Sequence, residues 1–583
     1  MFLLLVCRPD RLVVIAWWQL TGKRLRASYK LESAIAALPF ATERWMMDVG
    51  KDDLGVVARA RRSRTLPTFC VHLHVDSGAD LASVRRAIAS VKRQSEKPCH
   101  FFITSSDGDA RHPGLSGNTS ALSQPCPTPM SGLHAALAAA RDQKIDYLVP
   151  LPFNGWLPRH AIAGYSAFVS QAHSPDLPLM FGDQRNGTRA IRSSSYWFKS
   201  EWDPRMFLSQ DYVSDACAIP VVSALNSLRF EDHAPAFTGI YELILHLSRS
   251  VSAAVRVQHL DRVTMVTVSE AWCNGVDQRL LAVQRYVSAD TKVFAGPFGT
   301  VQLHWAMPQP HPKVSVIIPT RDQSELLRTC VDGVLWGTDY SNIELIIADN
   351  DSCDLDALAY IEQVGCDPRV RVVRWPHPFN YSAINNHAAR FASGEYLCLL
   401  NNDIEVIEPR WLTELVREAV QPNVGAVGAR LLYSDRSLQH AGVAIGIGNA
   451  AGHVHRGLPL GDPGYFAHAL IARGTSAVTG ACLLVSKRHF DAVGGLDEAG
   501  LAVAYNDVDL CLKLVGHGLA NIYTPASTLI HHESKSRGLD FAPDHLERYM
   551  NELSILQARW GTEVAVDPWH HQKLDRSSEV YHW

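Results

Sequence analysis

The sequence has no uninterrupted apolar run of about 20 residues, the length a membrane-spanning helix needs. Met1 to Val6 is apolar, but Arg8, Asp10 and Arg11 break the pattern before Leu12 to Leu20 resumes. No basic start or small-residue cleavage site marks a signal peptide, so none is expected. The 12 cysteines are scattered from Cys7 to Cys511 with no Cys-x-x-Cys pair. That spacing argues against a structural zinc site or a disulfide framework and predicts a reducing, cytoplasmic compartment. Charge of one sign is lacking too. Lys and Arg number 55 against 59 Asp and Glu, a net charge of −4, so no global field favours nucleic acid as a partner. The clusters Lys23 to Arg26 and Arg59 to Arg64 are expected to be solvated basic faces, with peripheral contact to an anionic membrane surface as the alternative. No Gly-x-x-x-x-Gly-Lys-Ser/Thr loop is present, which excludes a P-loop kinase or ATPase. The glycines of Gly446 to Gly452 are off the dinucleotide-binding spacing by one, and a flexible loop is expected there.

What is present is an ordinary globular composition, 47% hydrophobic and 20% charged, over 583 residues, too long for one core. Residues 1–66 form an unassigned leader. From Thr68 the pattern becomes α/β. Strands are expected over Phe69–Val75, His100–Thr104 and Tyr147–Leu151, with helices over Ala79–Arg93 and Met130–Arg141. A Gly/Ser/Pro-rich loop covers Ser105 to Pro129. Arg256–Thr267 reads as a closing strand and Asp277–Ser288 as a helix. A linker rich in Pro, Gly and His, residues 296–312, separates a first domain, 67–295, from a second, 313–540, which a C-terminal helix and tail, 541–583, follow.

The second domain repeats the order of the first: strands at Val314–Ile318, Ile343–Ala348, Val370–Trp375 and Tyr396–Leu400, helices at Ser324–Leu335 and Ala383–Ala392. This is the pattern of a duplicated α/β domain. The second copy ends three of its strands in acids and amides: Pro319-Thr320-Arg321-Asp322, Asp349-Asn350-Asp351-Ser352 and Asn401-Asn402-Asp403. Ligands of open α/β sheets sit beyond the carboxyl ends of the strands, so these residues point to a polar-ligand site. Carboxylates and amides without cysteine suit a hard divalent cation, Mg²⁺ or Mn²⁺, with phosphate oxygens as co-ligands. In the first copy the corresponding strand runs into Leu151-Pro152-Phe153-Asn154, with no carboxylate.

Eight segments in order carry a family resemblance: Val314–Thr320, Phe379–Asn386, Leu400–Asp403, Gln439–Gly442, Thr479–Cys482, Gly494–Asp497, Tyr505–Leu512 and His531–Gly538. Together they resemble family 2 glycosyltransferases of the GT-A fold, in the branch acting in O-antigen and cell-wall polysaccharide assembly, often rhamnosyltransferases. The resemblance implies two tandem GT-A-like domains, mostly parallel and Rossmann-related, with the second complete and the first degenerate. It implies a nucleotide-sugar site at Pro319, Thr320, Asp322, Asp349, Asn385, Asn402 and Arg537, with Lys535 beside Arg537 against the leaving diphosphate. Asp403 corresponds to the last carboxylate of the family's Asp-x-Asp metal motif, whose first position here is Asn401. His531 or His532 would add an imidazole to the metal; spacing leaves the choice open, with a slight preference for His532. Asp507 corresponds to the general base of an inverting transfer, and Asp509 is the fallback.

The function these matches imply is transfer of a sugar, rhamnose among the candidates, from a dTDP- or UDP-linked donor to a glycan hydroxyl in O-antigen or cell-surface polysaccharide biosynthesis. A polyprenol-linked acceptor would put the enzyme at the inner face of the cytoplasmic membrane. Two other readings differ in class. One is a non-catalytic scaffold of a polysaccharide assembly complex, which the degenerate first copy and Asn506 leave open. The other is a sugar nucleotidyltransferase, which Pro319-Thr320-Arg321 disfavours because it lacks a glycine-rich loop.

Overall fold

A computed structural model describes residues 9–20, 31, 34, 55, 66–107, 119–122, 125–170, 176–186, 195–229, 237–249, 255–268, 275–532, 543–577, 579 and 581. Lys23–Arg26, Arg59–Arg64, Lys535 and Arg537, singled out above, lie outside these residues. Two compact units divide the chain: Met1–Ala289 with Val293–Val301, and Asp290–Lys292 with Gln302–His582. Among the described residues no helix is long and apolar enough to cross a membrane.

In the first unit, β1 (Phe69–Val75), β2 (His100–Ser105), β3 (Thr119–Ala121), β4 (Tyr147–Leu151), β5 (Gly155–Trp156), β6 (Leu179–Asn186), β7 (Cys217–Pro220) and β8 (Val257–Thr267) lie in the order β3-β2-β1-β4-β7-β6-β8-β5. In the second, β9 (Val314–Thr320), β10 (Ile343–Asp349), β11 (Val370–Arg374), β12 (Tyr396–Leu400), β13 (Ile404–Val406), β14 (Val424–Leu432), β15 (Cys482–Ser486) and β16 (Ala520–His531) lie in the order β11-β10-β9-β12-β15-β14-β16-β13. The two paths are the same path. The senses agree as well: four parallel strands on one side, then β7 or β15 antiparallel to both neighbours. Next comes a parallel pair, β6 with β8 or β14 with β16, and a short antiparallel strand, β5 or β13, closes each path. The chain is thus a mixed α/β protein with two tandem sheets of one topology.

The apolar runs follow from burial on both faces. In the second unit Val314, Val316, Ile318, Cys398 and Leu400 pack on one side with Leu327 and Val331 of α2 (Ser324–Trp336), Ile361 of α3 (Leu355–Val364), and Trp411 and Leu415 of α5 (Trp411–Ala419). Ile317, Leu397 and Leu399 face the other way, against Ile384 and Ala388 of α4 (Tyr381–Ala389) and Leu510 and Leu514 of α6 (Asn506–Gly516). This alternation is the period-2 pleat. α3 and α5 were not anticipated. For α3 the local signal is the N-cap Asp354, whose side chain accepts the N–H of Ala357 at 2.8 Å.

One expectation is corrected. Gly446–Gly452 is not a flexible loop but the turn and second strand of a hairpin, Val443–Ile445 paired antiparallel with Ala451–His453. Gly446 sits at φ +90°, a left-handed backbone that strains any residue carrying a Cβ. The tail that holds this hairpin includes Asp567, whose carboxylate accepts the N–H of Ile445 at 2.6 Å and the hydroxyl of Ser476 at 2.5 Å.

Candidate active site

Parallel register decides which strand ends meet. β9 pairs with β10 so that Thr320 stands opposite Asp349. The N–H of Asn350 donates to the carbonyl of Thr320 at 2.8 Å, tying the two turns. β9 also pairs with β12, and two residues beyond that strand the Asn402 amide donates to Thr320 Oγ1 at 3.1 Å. Thr320, Asp349 and Asn402 therefore form one cluster at the carboxyl ends of the strands, all buried. Pro319 opposes Ala348 inside the same register.

Asp322 sits just past this cluster with φ +55°. Its carboxylate accepts the N–H groups of Asp354 at 2.8 Å and Cys353 at 2.7 Å, which hold its pKa below the ordinary aspartate value. It locks the turn after β9 to the turn after β10. Asn385 is fully buried inside α4, where its amide donates to the carbonyl of Tyr381 at 2.8 Å, so in this conformation it presents nothing to a ligand. Its motif neighbours act as a clamp. Asn386 donates to the carbonyl of Leu496 and accepts the same residue's N–H, at 2.8 and 3.0 Å, and Asn380 donates to the carbonyl of Glu498 at 2.9 Å.

The turn Asn401-Asn402-Asp403 leads from β12 into β13, and β13 pairs with the last residues of β16. Ile404 faces His531, and the N–H of His532 donates to the carbonyl of Asp403 at 2.9 Å. Side chains alternate along a strand, so the two histidines diverge. His531 Nε2 stands 3.1 Å from Asp403 Oδ1. His532 turns away: its Nε2 pairs with Glu405 at 2.8 Å and its Nδ1 lies 2.8 Å from the hydroxyl of Ser434. The slight preference for His532 as the imidazole beside Asp403 is thereby corrected in favour of His531.

The Asp403–His531 pair fits a divalent cation. His531 Nδ1 is 2.9 Å from Gln439 Oε1. With Gln439 accepting from Nδ1–H, Nε2 carries a lone pair that faces the carboxylate of Asp403 at 3.1 Å, with the Asn401 amide farther off at 3.4 Å. Two acceptors facing one another call for a proton or a cation between them. Ligands adjacent on an octahedral ion at about 2.1 Å stand about 3.0 Å apart, and a partner holding the far nitrogen of a ligating imidazole is the usual supporting arrangement. Gln439 was legible only as part of a motif; its role needed the fold.

Asp507 lies in the first turn of α6, after Tyr505 in the left-handed region at φ +62°. Its Oδ2 accepts the N–H of Gly480 at 2.7 Å and its Oδ1 the N–H of Val508 at 2.8 Å. Burial pushes its pKa above the ordinary aspartate value, and these donors oppose the rise. The segment holding Gly480 also reaches the other carboxylate, because the N–H of Asn401 donates to the carbonyl of Ala481 at 3.0 Å. Thr479–Cys482 thus bridges the turn of Asp403 and the helix start of Asp507. Glu552, on α7 (Pro543–Trp560), accepts the N–H groups of Val503 and Ala504 at 2.9 and 3.0 Å and braces the approach to that helix. No sequence signal pointed to Glu552. Asp509, the fallback base, is fully buried and engaged by Arg559 at 2.7 Å, Trp560 at 2.9 Å and Lys513 at 3.1 Å.

The shared sheet path allows the same positions to be read in the first unit. There the turn between β4 and β5 is Pro152-Phe153-Asn154, so an amide stands where the second unit has Asp403. Gly155 pairs with Thr267 as Ile404 pairs with His531, so a hydroxyl replaces the imidazole. Both members of the pair are absent from the first copy.

Residues 315–459 match glycosyl transferase family 2, and the second unit carries a domain of that family. The chain is similar to the uncharacterized protein y4gI of Sinorhizobium fredii, 37% identical over 427 residues, 70% of this chain and 46% of that protein. It is also similar to the O-antigen biosynthesis protein RfbC of Myxococcus xanthus, 36% identical over 402 residues, 66% of this chain and 30% of that protein. The chain therefore spans less than half the length of these two relatives. A shorter match, 36% over 81 residues and 14% of this chain, links it to 26% of an N-acetylglucosaminyl-diphospho-decaprenol L-rhamnosyltransferase of Mycobacterium tuberculosis. Among solved structures, a Pyrobaculum calidifontis mannosyltransferase in complex with GDP-mannose and Mn²⁺ overlaps 45% of this chain and 69% of its own at 18% identity, TM-score 0.33.

Proposed function

We propose that the second unit is an inverting, metal-assisted glycosyltransferase. It transfers a sugar, rhamnose in the first instance, from a dTDP- or UDP-linked donor to a hydroxyl of a glycan in O-antigen or cell-surface polysaccharide biosynthesis. The observation that carries this reading is the pair Asp403 and His531, set 3.1 Å apart at the strand ends and bridged to Asp507 through Thr479–Cys482.

Asp403 and His531 would hold the Mg²⁺ or Mn²⁺ ion, with Gln439 keeping the imidazole in its ligating tautomer. A bound divalent ion supplies charge neutralisation for the leaving diphosphate. Asp349 and Thr320 supply the strand-end cluster for the nucleoside, and Asn402 reaches it through Thr320. Asp507 takes the proton of the acceptor hydroxyl during a single displacement; a carboxyl raised by burial is a stronger base than an exposed one. The first unit, lacking counterparts of Asp403 and His531, is catalytically silent. A polyprenol-linked acceptor would bring the protein to the inner face of the membrane, and the Pro9–Leu20 helix, with Val13, Trp17 and Leu20 exposed, suits peripheral contact.

The test is turnover of labelled dTDP-rhamnose, with UDP-linked sugars alongside, on a polyprenol-diphosphate-linked glycan, in wild type and in Asp507→Asn. Transfer by wild type and its loss in the variant support the reading. A wild type that transfers none of these sugars with Mn²⁺ present sinks it and returns weight to the scaffold.

A further inference from the structure

The first unit, though stripped of the Asp403–His531 pair, contains a pocket of about 1000 Å³. Five of its lining residues are Arg85, Arg86, Arg93, Arg159 and Arg185; Trp156 is a sixth, and no acid lines it among the described residues. None of the five forms an ion pair with a carboxylate among the described residues. The guanidinium of Arg86 lies over the Trp156 ring, 5.2 Å from its centroid, and the Nε atoms of Arg86 and Arg185 are buried without an acceptor. Guanidinium groups gathered around one cavity repel one another, and buried donors without acceptors are costly. A polyanion in the cavity answers both.

The walls are preformed. The N–H of Leu157 donates to Ser90 Oγ at 3.1 Å, the Gln94 amide to the carbonyl of Pro158 at 2.7 Å, and the N–H of Ser95 to the carbonyl of Arg159 at 2.9 Å. These bonds fix Trp156–Arg159 against the end of α1 (Leu81–Lys92). Nor is the pocket a general product of the fold. Trp156 pairs with Val266 as Glu405 pairs with Ile530, and Arg185 pairs with Val266 as Leu432 pairs with Ile530. The second unit thus has an acid and a leucine at the positions of Trp156 and Arg185. Its helix α2 is also closed onto the short strand: a Cβ on Gly333 would come within 2.9 Å of Val406.

We propose that this pocket is a metal-independent binding site for a diphosphate group, its arginines supplying the positive charge for which the second unit's site requires a cation. Planar guanidinium groups match phosphate oxygens two at a time, and Trp156 offers an apolar face beside them. The diphosphate belongs to a free nucleotide or to a lipid-linked headgroup; both present the same chemistry to the arginines.

The test uses the full chain in EDTA, which disables any metal-dependent site in the second unit and keeps this proposal separate from the function proposed there. Calorimetric titration with inorganic pyrophosphate should show salt-sensitive binding by wild type, weakened about tenfold or more in Arg86→Gln/Arg185→Gln. Because Arg86 packs on Trp156, the exposed pair Arg93→Gln/Arg159→Gln is measured beside it, with melting curves to show that both variants fold. Cosedimentation with phosphatidylcholine vesicles, with and without undecaprenyl diphosphate, separates the sources. Arginine-dependent capture only by the doped vesicles assigns the lipid, and pyrophosphate and UDP binding without capture assigns the free diphosphate. No binding of pyrophosphate, UDP or doped vesicles by wild type, or equal binding by wild type and both folded variants, overturns the proposal.

Discussion

His531 Nε2 and Asp403 Oδ1 face each other at 3.1 Å, while His532, one residue on, pairs with Glu405 instead. Strand alternation makes neighbouring histidines inequivalent. His531→Ala should therefore abolish the Mn²⁺-dependent part of nucleoside diphosphate binding, and His532→Ala should leave it within about twofold. Thermal shift with UDP or dTDP, with and without Mn²⁺, reads the difference directly. Equal losses in the two variants would remove His531 from the site.

Gln439 acts at one remove. Gln439→Leu removes the acceptor for His531 Nδ1 and should weaken Mn²⁺ affinity by about 10- to 100-fold without unfolding the domain. Titrating Mn²⁺ at fixed nucleotide measures this, and an unchanged midpoint would mean that the imidazole tautomer is set elsewhere.

Asp507 allows activity and stability to be separated. Its folded-state pKa is raised by burial, so its neutral form is favoured in the fold. The stability linked to that protonation is present at low pH and is lost as pH rises through the folded value. Asp507→Asn relieves that charge but sets an NH2 group against one of the two backbone N–H donors, so a stability loss of about 1 kcal/mol at pH 7 is expected while turnover falls about 10²- to 10⁴-fold. In wild type the acid limb of kcat/KM should lie above the ordinary aspartate value of about 3.9. Parallel melting curves and pH-rate profiles test both statements.

Asp509 should behave in the opposite way. It is buried against Arg559, Trp560 and Lys513, and Asp509→Ala would leave these donors without their carboxylate. A loss of about 2–3 kcal/mol is expected, held to the lower side because Arg559 and Lys513 reach solvent. Denaturant unfolding of the full chain measures it, and turnover per folded molecule should persist.

Glu344 gives a pH-dependent stability term. Burial works against its ionisation, but donors from Ser315 and Ser393, with Lys313 3.1 Å away, bring its pKa down to about 2. A depressed carboxylate stabilises above its unfolded value and loses that contribution as pH falls through the folded one. Glu344→Gln should cost about 2 kcal/mol at pH 7, after allowance for solvent, and much less near pH 2. Melting curves across that range check the slope.

The residues themselves announced the duplicated α/β order, the buried strands Phe69–Val75, Tyr147–Leu151 and Tyr396–Leu400, and the acidic strand ends, because apolar runs bounded by polar turns are local signals. The loss of a carboxylate at Leu151–Asn154 was legible for the same reason. What lay outside local pattern was decided by pairing between distant strands. Register put Thr320 beside Asp349, strand alternation chose His531 over His532, and a bridging loop brought Gly480 to Asp507. Helix packing turned Asn385 inward and gave Asp509 to Arg559. The arginine pocket belongs to this second group. Its residues are scattered from Arg85 to Arg185, and no spacing between them predicts a cavity. They converge because β5 docks on α1 and β6 pairs with β8, contacts formed only when the sheet closes.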